Sequence, residues 1–175
     1  MKYLLMLVML IPNLAQADEQ RIGFVAGSTY GVGLSYSRQY DDGNGWQVSA
    51  LPIVEEDFNS TVFLGATKFK TLNSTSWGRA YWSLGIATLY RRDNGISWEM
   101  VCDDNRDVCE DVEVQGEEEE MLLMSFGPGV GLERRWKQFA ISLELPLAIQ
   151  VGRAANRFHF MGMRPIPNFS LMYFW

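Results

Sequence analysis

Phe139-Ala140-Ile141-Ser142-Leu143-Glu144-Leu145-Pro146-Leu147-Ala148-Ile149-Gln150-Val151 alternates with a period of two along its whole length. Successive side chains of a strand point to opposite faces. Phe139, Ile141, Leu143, Leu145, Leu147, Ile149 and Val151 therefore form one face, and Ala140, Ser142, Glu144, Pro146, Ala148 and Gln150 form the other. Two more stretches repeat the pattern. From Trp77 to Tyr90, Ala80, Trp82, Leu84, Ile86 and Tyr90 oppose Arg79, Tyr81, Ser83, Gly85 and Ala87. From Leu122, Met124, Phe126, Val130 and Leu132 alternate with Ser125, Gly127, Gly129, Gly131 and Glu133. One face is large and apolar; the other is small, polar or charged.

A soluble β-sandwich inverts this logic, since its large residues pack inward and its Lys, Glu and Thr face water. In a narrow membrane barrel the large face meets acyl chains, and the small or polar face shares a crowded interior. Gly127-x-Gly129-x-Gly131 and Gly31-x-Gly33 suit such a lumen, and Arg79, Glu133 and Glu144 are expected to pair there. The fold expected is all-β: an eight-stranded antiparallel up-and-down transmembrane β-barrel. Its strands are expected at 21–27, 30–40, 45–54, 59–71, 77–92, 119–135, 138–151 and 165–175. Asp41-Asp42-Gly43-Asn44, Asn73-Ser74-Thr75 and Arg134-Arg135-Trp136-Lys137 read as turns. The turn at Ser28-Thr29 carries a weak signal. A single strand over 21–40 is the alternative, and it gives an odd count.

The first residues read as a secretory leader: Met1 and Lys2, an apolar run from Tyr3 to Ile11, then Ala15-Gln16-Ala17 as a small-x-small cleavage site. Residues 1–17 are expected to be a cleaved signal peptide, and 18–175 one barrel domain with a protruding hairpin at about 91–121. The leader run is shorter than the roughly 20 residues of a spanning helix. Downstream, charges, Gly or Pro interrupt every apolar run. Contact with a membrane would therefore use a closed barrel or a surface element, because backbone groups cannot stay unpaired in hydrocarbon.

The chain carries a net charge of −6 and is 47% hydrophobic, too apolar for disorder and of the wrong sign for nucleic acid. The charge is uneven. Between Glu99 and Glu120 stand eleven acidic residues and one basic residue, Arg106, so the remainder is net positive.

The last strand, Phe169-Ser170-Leu171-Met172-Tyr173-Phe174-Trp175, alternates Phe169, Leu171, Tyr173 and Trp175 on one face and ends on an aromatic residue. It resembles the C-terminal signature of bacterial outer-membrane β-barrel proteins, the strand read by the barrel-assembly machinery; Trp175 replaces the usual Phe. With the leader and the alternating strands, the resemblance covers essentially the whole chain. It implies residence in the outer membrane after export through the periplasm. It also implies contact with outer-membrane lipids and lipopolysaccharide, engagement of the assembly machinery, and a monomeric state. In that family short turns face the periplasm and long loops face outward. The turns at 41–44, 73–75 and 134–137 are then periplasmic. Glu55-Glu56-Asp57, the segment after Arg92, and Gly152 to Arg164 are external. Trp46, Trp77, Tyr81, Tyr90, Trp136, Tyr173 and Trp175 are expected near strand ends, where amphipathic rings settle at headgroup level.

The stretch from His159-Phe160-Met161 to Pro167-Asn168 faintly resembles the tail of the lipid A 3-O-deacylases, which implies an acyl-transfer site with His159 as base. The position of the family's Ser holds Met161, and no Glu or Asp follows His159. Without a nucleophile or an orienting acid the constellation is incomplete. No catalytic residue and no cofactor is assigned.

Cys102 and Cys109 are the chain's two cysteines. The flanks Trp98 to Val101 and Val108 to Val114 alternate as strands do, and a turn at Asp103-Asp104-Asn105-Arg106 would set the sulfurs across a hairpin. In an oxidising compartment that pair is expected to close, a gain of roughly 2–3 kcal/mol for so short a loop. Arg91 and Arg92 are expected to face Glu117 to Glu120. Asp103-x-Asn105-x-Asp107 matches the first ligands of an EF-hand loop. Val108 replaces its Gly and Val114 its bidentate Glu, so no dedicated metal site is assigned. Looser cation bridging to lipopolysaccharide phosphates fits the acidic loop better.

Three function classes remain. The first is a structural or interaction barrel whose external hairpin contacts the envelope or a partner. The second is a lipid A-modifying enzyme, and the third a soluble periplasmic, lipocalin-like binder. An eight-stranded interior is filled by side chains, which argues against a pore.

Overall fold

The computed structural model describes residues 19–54, 60–93, 96–102, 109–115, 119–154 and 157–175. Residues 1–17, Glu55-Glu56-Asp57, Asp103, Asn105, Asp107, Glu117 and Glu118 lie outside the described residues, as do the expectations placed on them. The strands in chain order are β1 (Glu19–Gly27), β2 (Gly31–Gln39), β3 (Asn44–Val54), β4 (Ser60–Thr75), β5 (Gly78–Asp93) and β6 (Ile96–Cys102). They continue with β7 (Cys109–Gln115), β8 (Glu119–Trp136), β9 (Phe139–Pro146), β10 (Ala148–Ala154), β11 (Arg157–Arg164) and β12 (Asn168–Phe174).

These strands form a closed, eight-stranded antiparallel barrel with a two-stranded ribbon, β6–β7, beyond it. The count is eight because β9 and β10 are one stave, interrupted at Leu147, and β11 and β12 are another, interrupted at Pro165-Ile166-Pro167. Proline has no N–H to give a ladder, so both breaks fall where Pro146, Pro165 and Pro167 stand. Leu147 still donates its N–H to the carbonyl of Pro128 at 2.7 Å. Closure runs along β1 and β12, from Arg21 opposite Phe174 to Ala26 opposite Phe169.

One end of the barrel carries the tight connections. Gly43, at φ +78°, closes the β2–β3 turn, where Asp42 accepts from Asn44 N at 2.9 Å. The hydrogen bonds from the Asn44 backbone and side chain hold the exposed Asp42 carboxyl below its ordinary value. Lys137, at φ +49°, makes the β8–β9 turn. At the opposite end β5 and β8 rise furthest, paired up to Asp93 opposite Glu119. In the ribbon beyond them Cys102 stands opposite Cys109 in register.

Residues 21–40 make two strands, as expected, with Ser28-Thr29-Tyr30 between them. Two details differ from the sequence expectation. Asn73-Ser74-Thr75 belongs to β4, past an irregularity at Leu72, and the turn falls at Ser76-Trp77. Gly152 to Arg164 is not a loop: β10 runs to Ala154 and β11 begins at Arg157.

The faces are sorted by polarity in the sense opposite to a soluble protein. Leu34, Leu132 and Phe160, each 69% exposed, stand on the exterior with Leu84, Ile86, Val130, Leu143 and Leu145. Inside, Arg21 is 2% and Glu144 0% exposed, beside buried Arg79, Glu133, Ser142, Ser170 and Asn168.

Candidate functional site in the lumen

Two polar layers fill the barrel, and each forms because inward parity delivers its members from different strands. The lower layer lies nearer the tight turns. Glu133 of β8 accepts from Arg21 Nη1 of β1 at 2.6 Å, from Arg79 Nη2 of β5 at 2.8 Å and from Arg135 Nε at 2.8 Å. Gln39 Oε1 of β2 accepts from Arg21 Nη2 at 2.7 Å, Arg79 Nη1 at 2.5 Å and Arg135 Nη2 at 3.3 Å. Glu19 adds a second carboxylate, paired with Arg21 and with Arg135 at 3.0 Å. Three guanidiniums thus share two carboxylates and one amide oxygen. The Arg79 guanidinium also lies 4.6 Å from the Phe69 ring centre and 5.2 Å from that of Tyr81.

The upper layer is built around Glu144. Its oxygens accept from Tyr30 Oη at 2.6 Å and Asn168 Nδ2 at 2.8 Å, and the Tyr30 and Tyr81 hydroxyls meet at 2.9 Å. Tyr30 comes from the β1–β2 turn, so the turn is folded inward across the barrel. Its backbone groups are satisfied there. Thr67 donates to the Thr29 carbonyl at 3.3 Å, Ser49 donates to the Tyr30 carbonyl, and Thr29 N donates to Asn168 Oδ1 at 3.3 Å. Gly65 makes room: a Cβ there would lie 1.9 Å from the Tyr30 carbonyl oxygen.

The structure places the three lumen charges of the sequence in two groups. Arg79 and Glu133 are ion-paired; Glu144 sits in the other layer with hydroxyl and amide donors. Sequence reading missed Glu19, Arg21, Gln39, Tyr30, Asn168 and Arg135. Arg135 carried a signal, since it shares the parity of Glu133; Tyr30 carried none, being in a turn. Tyr81, expected at a rim, is buried in the lumen, in keeping with its inward parity. Trp77, Trp136, Tyr173 and Trp175 are exposed on the exterior near the tight-turn end. Arg134 lies 4.8 Å from the Trp77 ring centre and 5.8 Å from that of Trp136. His159 is exposed on β11, opposite Gly152.

Among the described residues no group of three or more His, Cys, Asp and Glu side chains is placed to hold a metal ion. The lower layer binds guanidinium to carboxylate across the barrel and leaves no reacting group poised beside a base. What it does physically is fix β1, β2, β5 and β8 relative to one another from within. The class defined is an all-β, closed eight-stranded antiparallel barrel with a polar, self-paired lumen. No protein-family model, curated protein or solved structure matches the chain.

Proposed function

We propose that the barrel spans a bacterial outer membrane as a small structural or interaction protein, displaying the β6–β7 ribbon outside. The inversion of polarity carries this reading. A water-soluble barrel would leave Leu34, Leu132, Phe160 and their neighbours in solvent while enclosing Arg21, Arg79, Glu133 and Glu144. Each fully buried Leu or Phe is worth roughly 1.5–3 kcal/mol, so the large exterior apolar surface favours an apolar surrounding. A membrane supplies it, and the closed ladder meets the requirement that backbone groups be paired in hydrocarbon.

The dimensions support the same reading. A spanning β-strand needs about 9–11 residues when tilted. The apolar exterior of β8 runs from Leu122 to Leu132 and stops at Glu120 and Arg134; on β5 it runs from Ala80 to Tyr90 and stops at Arg92. β5, with 16 residues, and β8, with 18, exceed the span and carry the ribbon outward. Trp77, Trp136, Tyr173 and Trp175 then sit at the periplasmic headgroups. Opposed cysteines in the ribbon favour a disulfide cap. Arg92, opposite Glu120, offsets part of the acidic charge at its base.

The lipocalin-like alternative asks for an apolar interior, and the two lumen layers are polar. The deacylase alternative asks for a nucleophile beside His159, whose neighbours on β11 are Phe158 and Phe160. Membrane fractionation and gel mobility test the proposal. The expected result is extraction only by detergent and a migration that changes on boiling; full recovery in the soluble periplasmic fraction overturns it.

A further inference from the structure

The exterior of β2, β3, β4 and β5 is grooved. Register sets its outward residues in rows across the staves: Tyr36, Val48, Ala66 and Ile86 in one, and Leu34, Ala50, Leu64 and Thr88 in the next toward the ribbon end. Ala66 and Ala50 are short where their neighbours are long. A groove of about 720 Å³ follows them, with Leu34, Tyr36 and Trp46 on one side and Leu64 and Ile86 on the other. Ser35 and Ser49 also border it, but both are buried toward the lumen, so its open face is apolar but for Thr88. The polar tips of Tyr36 and Trp46 are engaged, by Gln20 at 3.0 Å and by Tyr40 at 3.3 Å.

At the tight-turn end this groove runs into a second, of about 520 Å³, which shares Trp46, Val48 and Ala66 with it and reaches Lys68 and the β2–β3 turn. The exterior row at that end reads Gln20, Arg38, Trp46 and Lys68, so two cations flank one tryptophan. Neighbouring strands lie about 4.8 Å apart, which puts Arg38 and Lys68 roughly 10 Å from each other, backbone to backbone. Lys68 is exposed and stands in no ion pair among the described residues. Arg38 is 2% exposed, and its Nε and Nη2 have no hydrogen-bond partner. Unmet buried donors on a charged group are costly, which favours an anion nearby. Asp42, exposed in the adjoining turn, is within electrostatic reach of Lys68 and Lys70, but Asn44 already engages its carboxylate.

We infer that the joined grooves hold one anionic phospholipid, with an acyl chain over Ala66 and Ala50 and the phosphate at Lys68 beside Trp46. Lys68 stands in register with Leu84 of the exterior belt, and its four-carbon stem carries the ammonium toward headgroup level. From Lys68 to Leu64, β4 rises about 13 Å, which keeps the chain within one leaflet of a core about 30 Å thick. Charge decides the occupant. A second barrel would cover the apolar floor but bring nothing for Lys68 and the buried charge of Arg38; an anionic lipid supplies both hydrocarbon and phosphate. This inference rests on the membrane reading above, under which the leaflet is the periplasmic one.

The test is native mass spectrometry of the barrel in detergent, with added dimyristoyl phosphatidylglycerol or dimyristoyl phosphatidylcholine. Heat-modifiable mobility is the folding control. The expected result is one retained phosphatidylglycerol per barrel and markedly less phosphatidylcholine. Ala66→Phe, an outward change that fills the groove floor, should lower retention about ten-fold, as the loss of about two buried methylenes would. Lys68→Gln, at an exposed position, should lower phosphatidylglycerol retention to the phosphatidylcholine level and leave the latter unchanged. Equal retention of the two lipids by the unaltered barrel overturns the inference and leaves the membrane reading standing. So does unchanged retention by folded Ala66→Phe, or a lipid-free dimer that Ala66→Phe dissociates. Folding without detergent overturns the membrane reading itself.

Discussion

Glu133 takes hydrogen bonds from three arginines, so its loss reaches strands far from its own. Glu133→Leu leaves Arg21 and Arg79 buried without their shared carboxylate. Breaking a buried ion pair from one side costs about 3–5 kcal/mol, and a loss of that size is expected in urea unfolding of the folded barrel. Tyr30→Phe is a smaller change with a distinct signature. It removes one donor from the Glu144 carboxylate, a hydrogen bond to a charged group worth about 1.5–3 kcal/mol. Tyr81→Phe removes hydroxyl contacts to the neutral Tyr30 and Ser142 and should cost about 0.5–1.5 kcal/mol. If Tyr81→Phe proved the costlier of the two, the assignment of Tyr30 as the donor to Glu144 would be wrong. Gly65→Val should prevent the turn from seating at all, because the clash is with the Tyr30 backbone rather than a movable side chain.

The strand is the scale at which the sequence was most readable. Alternation from Phe139 to Val151 separated outward Leu143 and Leu145 from inward Ser142 and Glu144 without knowledge of any partner strand. The turn at Asp41-Asp42-Gly43-Asn44 was legible because Gly43 supplies the left-handed backbone. Elsewhere the local signal misled for physical reasons. Among the described residues β11 is an edge strand paired with β10 alone, so it lacks the alternation that two-sided burial imposes, and its arginines and His159 resemble a loop. The Ser28-Thr29-Tyr30 turn closes on Gly31, at φ +71°, but its inward fold rests on Ser49, Thr67 and Asn168 from distant strands, which no local pattern shows. The pairing of Arg79 with Glu133 required register, which opposes them across β5 and β8. Two predictions belong to this scale. Ile86→Arg, near the middle of the apolar exterior, should cost about 2–4 kcal/mol, while Leu132→Arg, beside Arg134 at its border, should cost about 0–1 kcal/mol. Equal costs would contradict the depth assignment. In the ribbon, Cys102 and Cys109 should resist thiol labelling until reduced; free labelling of native protein would remove the disulfide cap.

At the scale of the molecule, closure and polarity belong together. A closed ladder removes the exposed sheet edges that invite aggregation. Polar pairing from within then substitutes for the hydrophobic core that a soluble domain of this size would need. On the membrane reading proposed above, such an object is stable where its exterior meets hydrocarbon. Nitroxide scanning along residues 139–151, in lipid vesicles, tests this most directly by comparing collisions with oxygen and with a polar nickel chelate. Labels at 143, 145 and 147 should collide freely with oxygen and little with nickel, while those at 142, 144 and 148 should be shielded from both. Nickel-accessible labels at 143, 145 and 147 would mean that the leucine stripe faces water, and that the barrel does not sit in a bilayer.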